Sequence, residues 1–144
     1  MPIVGVGTDL VSVVRFHRLI ERGGRSFLDR WFGPAEVQSC LTHTDPAAQA
    51  ATHFAAKEAT VKALALRSGD GPPPWRDIEV ILDEGVTPGL RLHGAVRDLA
   101  TAAGVTDLHL TVAQDGRFAT AAVVAARTTH DWAAPAAPRT PRRG

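Results

Sequence analysis

An α+β domain, a mainly antiparallel sheet packed on one long helix, is the fold class this sequence predicts, and three observations predict it. Apolar residues alternate with small or polar ones near both ends of the chain, which marks strands. Between them, Pro46 to Arg67 is rich in alanine and poor in breakers, as a long helix requires. Strands and helices do not alternate regularly and no internal repeat is visible, so a repeated parallel βαβ build is not indicated.

In chain order, Ile3 to Val13 is a strand whose even positions Val4, Val6, Thr8 and Leu10 form the apolar side, leaving Gly5, Gly7 and Asp9 on the other. Val14 to Arg22 reads as a short helix stopped by Gly23-Gly24. Gly33-Pro34-Ala35-Glu36 opens another, with proline in its first turn and an acid behind it. The long helix follows and ends at the loop Ser68 to Pro74. Ile78–Leu82 and Leu90–Leu92 are strands joined by a turn-rich stretch, and Val96, Leu99, Ala100 and Ala103 recur at helical spacing. Leu108, Leu110 and Val112 alternate with His109 and Thr111, and after Asp115-Gly116 the run Phe118 to Ala126 completes a hairpin. The expected organisation is one domain over residues 1–127, with residues 128–144 a flexible tail of alanine, proline and arginine.

The chain has 144 residues, 44% hydrophobic and 22% charged, which suits one soluble domain. No apolar run has membrane-spanning length, the first ten residues lack the marks of a signal peptide, and the single cysteine, Cys40, fits a reducing cytoplasm. Neither membrane nor nucleic acid is an expected partner. Net charge is +1, but Arg15, Arg18, Arg22, Arg25 and Arg30 face only Glu21 and Asp29 between Val11 and Phe32, a local excess of three positive charges. Such a patch is either a solvated helix face or a surface for an acidic partner.

Two carboxylates stand out. On a helical projection Glu58 falls on one stripe with Ala50, Phe54, Val61 and Ala65, where a carboxylate needs a cation or a hydrogen-bond donor. Lys62, one turn on, offers a purely structural ion pair, and a bound metal is the functional alternative. Asp9 shares its strand face with two glycines, whose missing side chains make room either for a ligand or for a packed helix. Two hard oxygen ligands from distant segments would suit Mg²⁺, and Lys62 could then hold a phosphate oxygen. The six histidines show no zinc spacing, Gly5-Val6-Gly7 is not followed by the third glycine of a dinucleotide fingerprint, and no phosphate-loop pattern occurs.

Ile3-Val4-Gly5-Val6-Gly7-Thr8-Asp9-Leu10 and Phe54-Ala55-Ala56-Lys57-Glu58-Ala59 with Lys62 resemble the two signature blocks of the holo-acyl-carrier-protein synthases, single-domain phosphopantetheinyl transferases. The likeness continues through Trp75–Val80, Leu90–Gly94 and the last hairpin. It implies the 4′-phosphopantetheinyl transferase fold, assembled as a homotrimer with active sites between subunits. It also implies a Mg²⁺-dependent transfer of 4′-phosphopantetheine from coenzyme A to a serine of an acyl or polyketide carrier protein, releasing 3′,5′-ADP. Asp9 and Glu58 match its metal positions and, with Lys62, its catalytic ones. Lys57, Glu58, Lys62, His109 and Thr111 match coenzyme-binding positions, the loop after Ser68 is where the adenine end is expected, and Arg15, Arg22 and Arg25 match positions that meet the carrier.

The chain departs from the family in two places. Ala113 and Gln114 replace the second serine and histidine of the usual His-x-Ser-x-Ser-His, and His53 stands where an arginine often precedes the Phe-Ala-Ala-Lys-Glu block. The first departure keeps open a non-catalytic or weakly active relative that still binds carrier protein or coenzyme A.

Overall fold

The computed structural model of the chain describes residues 1–66 and 74–129. Strand β1 (Ile3–Ser12) runs into helix α1 (Val13–Trp31), then α2 (Pro34–Thr42) and the long α3 (Pro46–Ala63). A 3₁₀ turn (Trp75–Asp77) leads into the hairpin β2 (Ile78–Ile81) and β3 (Gly89–Leu92), followed by α4 (Gly94–Ala102), β4 (Asp107–Gln114) and β5 (Phe118–Ala126). β1, β5 and β4 form an antiparallel sheet in that order, and β2 and β3 pair as a second, two-stranded sheet. This is the α+β build expected, with antiparallel strands packed on α3.

Helix α1 does not stop at the glycine pair. It kinks there, because Gly24 adopts φ 54° and ψ −145°, and helical structure resumes to Trp31. The resumed segment turns Phe27, Leu28 and Trp31 inward, and Phe16, Phe27, Phe54, Trp31 and Trp75 meet edge to face or tilted at centroid distances of 5.3–6.2 Å. Helix α3 starts at Asp45, whose Oδ1 accepts from the N–H groups of Ala47 and Ala48. It ends four residues earlier than the alanine run suggests, since Leu64 caps it and Ala65 takes a positive φ of 50°.

The core lies between α3 and the sheet, and small residues on both sides bring the two close together. Ala55, Ala56 and Ala59 of α3 are buried, as are Ala119, Ala121, Val123 and Ala125 of β5. On β1 the contact is closer still. A Cβ at Gly5 would lie 1.9 Å from the Ala63 carbonyl oxygen, and one at Gly7 would lie 1.9 Å from that of Ala59, so only glycine lets the helix backbone rest on the strand.

This close packing is the packed-helix alternative for the two glycines, and it decides which side of β1 is buried. The glycine side is the buried one, and the apolar even side faces away from α3: Val6 is 58% and Leu10 66% exposed. Phe118 and Val4 stand on the same outer face, exposed as well. The physical reason is that burial on this strand comes from backbone approach, whereas alternation of side chains reports only where apolar groups lie.

Candidate active site

Gly7 sets Asp9 beside the helix it rests on. Successive side chains of a strand alternate in direction, so Asp9 shares the inner face with Gly5 and Gly7 and points toward the C-terminal half of α3. There Lys62 Nζ donates to Asp9 Oδ1 at 3.0 Å and to the Thr8 carbonyl at 2.9 Å. Glu58, one helical turn before Lys62, is half-buried and carries the other carboxylate of the group. Burial and then the Asp9 charge raise its proton affinity above the ordinary carboxylate level, with Lys62 and Arg15 opposing them. Among the described residues no hydrogen-bond or ion-pair partner holds it. The expected Glu58–Lys62 pair is therefore not what forms, because the lysine reaches across to β1.

Three of the residues singled out in the sequence, Asp9, Glu58 and Lys62, thus meet at one place. The pair of carboxylates fits a hard divalent cation: two anionic oxygens from separate elements, one of them without a donor, are what Mg²⁺ takes when water and substrate phosphates complete its shell. Among the described residues no group of three or more His, Cys, Asp and Glu gathers, so these two carboxylates would have to be completed from outside the chain.

Lys57 goes elsewhere. Its side chain is 0% exposed, and Nζ lies 3.0 Å from Glu36 and 2.7 Å from the Trp75 carbonyl oxygen, with the Ile78 carbonyl as a third acceptor. Contact with coenzyme A, which its position in the motif suggested, is closed to it in this fold, because all three ammonium donors are used inside. Glu36 completes the cluster by accepting from the N–H groups of Gly33 at 2.8 Å and Val80 at 3.0 Å. Burial tends to raise the Glu36 carboxyl, but the neighbouring His53 imidazole, the Lys57 charge and the two backbone donors together hold it below its ordinary value. Burial likewise lowers Lys57, against the pull of Glu36. His53 is fully buried too, its Nε2 3.3 Å from Ser39 Oγ and its Nδ1 3.6 Å from Glu36, so it faces the core and not a phosphate.

His109 and Thr111 lie on the other side of the sheet. In register they stand across from Val124 and Ala122, which in turn face Val6 and Thr8, so both belong to the exposed outer face, two strands from β1. Within one chain they do not meet Asp9 and Glu58. A cleft of about 590 Å³ is also remote from the carboxylates: it opens among Thr42, His43, Thr52, Glu84, Ala113 and Gln114. Thr52 and Lys62 are about 15 Å apart along the axis of α3, so this cleft and the Lys62–Asp9 pair occupy different stretches of the helix. Arg15, Arg18, Arg22, Arg25 and Arg30 are all exposed on α1, with Arg25 3.5 Å from Asp29. The loop expected near an adenine, Ser68 to Pro74, lies outside the described residues but for Pro74, and residues 130–144 of the expected tail lie outside them too.

The fold is that of a known class. The sequence model of the 4′-phosphopantetheinyl transferase superfamily matches residues 5–123, and the chain belongs to that family. Within it the chain belongs with the holo-(acyl-carrier-protein) synthases. It is 41% identical over 122 residues to the holo-(acyl-carrier-protein) synthase of Halorhodospira halophila, covering 85% of this chain and 96% of that one. The crystal structure of holo-(acyl-carrier-protein) synthase from Neisseria meningitidis superposes with a TM-score of 0.76 at 29% identity, covering 88% of this chain and all of that one. The Helicobacter pylori synthase in complex with coenzyme A superposes with a TM-score of 0.70 at 27% identity, covering 84% and 99%.

Proposed function

We propose that this protein transfers 4′-phosphopantetheine from coenzyme A to a serine of an acyl or polyketide carrier protein, with Mg²⁺ as cofactor, and releases 3′,5′-ADP. The observation that carries the reading is the meeting of Asp9, Glu58 and Lys62 at the β1–α3 contact, on a chain whose family acts by this transfer. Bound by Asp9 and Glu58, Mg²⁺ would offset the charge of the pyrophosphate. Lys62 supplies an ammonium for a phosphate oxygen, which phosphoryl chemistry rewards because little else is asked of the protein. The carrier's serine oxygen bonds to the phosphorus that bears pantetheine, and the bond from that phosphorus to the oxygen of 3′,5′-ADP breaks. Glu58, or a water held beside it, is the proposed acceptor for the serine proton.

The proposed assembly is a homotrimer. Val4, Val6, Leu10 and Phe118 leave an apolar sheet face exposed on the single chain. His109 and Thr111 lie on that same face, where only another copy can bring them to Asp9 and Glu58. Arg15, Arg22 and Arg25 are the proposed contacts for the acidic carrier, Arg15 standing at the start of α1, close enough to Glu58 to act on its charge. The buried, unpaired Cys40 fits a reducing compartment, and the cytoplasm is the proposed location. Among the described residues no helix is long and apolar enough to cross a membrane.

Intact mass spectrometry of an apo carrier protein incubated with this protein, coenzyme A and Mg²⁺ tests the reading. A gain of one phosphopantetheine is expected, reduced by about 10²–10³-fold in rate for Asp9→Ala and Glu58→Ala. No gain with several carriers, while coenzyme A still binds, would sink it. That result would favour the second reading, a non-catalytic or weakly active relative, for which the specific observation is Ala113 and Gln114 in the wall of the cleft.

A further inference from the structure

Lys62 stands one turn beyond Glu58, yet its ammonium crosses to β1 and holds two oxygens there, the Thr8 carbonyl and Asp9 Oδ1. A carboxylate oxygen beside a backbone carbonyl is also what a hard cation would take. The lysine side chain is 52% exposed and that of Asp9 19%. An ion pair so open to water is held weakly, and its flexible four-carbon stem lets the ammonium leave without disturbing the fold.

We propose that the Lys62 ammonium is the resident counter-ion of Asp9 and that it and a divalent cation exclude one another there, the lysine moving to an anionic group of the substrate as the cation enters. The inference rests on Asp9 and Glu58 being the metal ligands. A divalent ion about 2.1 Å from Asp9 oxygen, with the ammonium still 3.0 Å from Oδ1, would place two cations against one carboxylate. Meanwhile Glu58, the second anion, holds neither. The pyrophosphate of the substrate resolves the conflict by giving Lys62 another acceptor. Binding is then coupled: whatever draws Lys62 off Asp9 raises the affinity for the cation, and by linkage the cation raises the affinity for the phosphates.

Titrating the full-length protein with Mn²⁺, free Mn²⁺ being read by electron paramagnetic resonance, tests this without turnover. Wild type, Lys62→Met, Arg15→Gln, Asp9→Ala and Glu58→Ala are compared with and without coenzyme A, and no carrier protein is present. Lys62→Met is expected to bind Mn²⁺ alone on the order of tenfold more tightly than wild type, and to show a smaller further gain when coenzyme A is added. Arg15→Gln removes a positive charge that acts on Glu58 but does not touch Asp9, so it controls for charge alone and should shift Mn²⁺ affinity much less.

Equal shifts in Lys62→Met and Arg15→Gln would overturn the exchange and leave the metal site standing, provided that Asp9→Ala and Glu58→Ala lose Mn²⁺. Mn²⁺ binding that ignores Asp9 and Glu58, or no binding at all, would overturn the exchange and the metal reading together. A second readout follows the side-chain ¹⁵N ammonium resonance of Lys62, which should shift when Mg²⁺ is added to wild type. A resonance that stays put at saturating Mg²⁺ contradicts the exchange.

Discussion

Two lysines five positions apart on α3 meet carboxylates from elsewhere in the chain, and almost everything else about them differs. Lys57 is sealed inside with Glu36, which also takes two backbone N–H groups, while the lysine takes two backbone carbonyls. Every polar atom of these two side chains is used. Lys62 lies half in water on Asp9, and beside it Glu58 has no donor among the described residues. The same pair of residue types therefore serves structure where its bonding capacity is exhausted, and under the proposed function it serves chemistry where an anion is left over. Saturation of partners, more than burial or charge, separates a tie from a site.

The largest expected effect comes from breaking the tie. Lys57→Met leaves Glu36 buried without its cation and should lower stability by about 3–5 kcal/mol, measured by urea denaturation. Glu36→Gln with Lys57→Met should lose clearly less than the two single changes added together, because neither partner is then left as an uncompensated charge. If the single and double variants are equally stable to wild type, Glu36 and Lys57 are not a tie at all. Below its melting transition Lys57→Met should still bind Mn²⁺ as wild type does, which is what distinguishes the two lysines.

Gly7 belongs to both regions, since it sets the distance between β1 and α3 and thereby the place of Asp9. Gly7→Ala drives a Cβ into the Ala59 carbonyl, where no flexible side chain can give way, and overpacking of this kind costs about 1–3 kcal/mol. Unlike Lys57→Met, it should also weaken Mn²⁺ binding in the folded protein. A Gly7→Ala protein with native metal affinity would show that Asp9 and Glu58 do not depend on the close contact.

How much of this was legible in the sequence follows from where each partner lies. Asp9 and Glu58 stood out as carboxylates on otherwise apolar or glycine-rich segments, and the α+β class followed from periodicity. The partner of Lys62 was out of reach, because helical spacing points to Glu58 whereas the acceptor is on a strand 53 positions earlier. Lys57 read as a ligand contact through its place in a motif, and nothing near it in the chain announces Glu36 at the start of a different helix. The signal that was present at Glu36 was read as a helix-start acid, which it also is, since it bonds the Gly33 N–H. The buried side of β1 was left open between a ligand and a packed helix, because glycine buries a strand without adding hydrophobicity.

Acid should act mainly on the tie. Glu36 has a folded-state pKa below its ordinary 4.5, so its contribution is complete above that value and is lost as pH falls through the depressed one. Stability measured from pH 6 downward should therefore drop as the solution passes below about 4.5. The Glu36→Gln, Lys57→Met protein should show a shallower acid slope, having lost that titration. Identical slopes would mean that other carboxylates dominate acid unfolding.

The arginines of α1 represent the weak end of the same scale, charges with little or no fixed partner. Arg15 and Arg22 are exposed seven positions apart on the first segment of the helix, on one face, and Arg25 follows the kink with Asp29 only 3.5 Å away. Rim charges such as these steer an oppositely charged partner and set its orientation more than they hold it. Arg15→Glu with Arg22→Glu should therefore leave the melting temperature and coenzyme A binding nearly unchanged. The same change should raise the KM for an acidic carrier protein by roughly tenfold at low salt, a difference that shrinks as salt screens the charges. If the KM rises equally at all ionic strengths, these arginines make short-range contacts instead and the patch behaves as a docking site, and if it does not rise at all the carrier binds elsewhere.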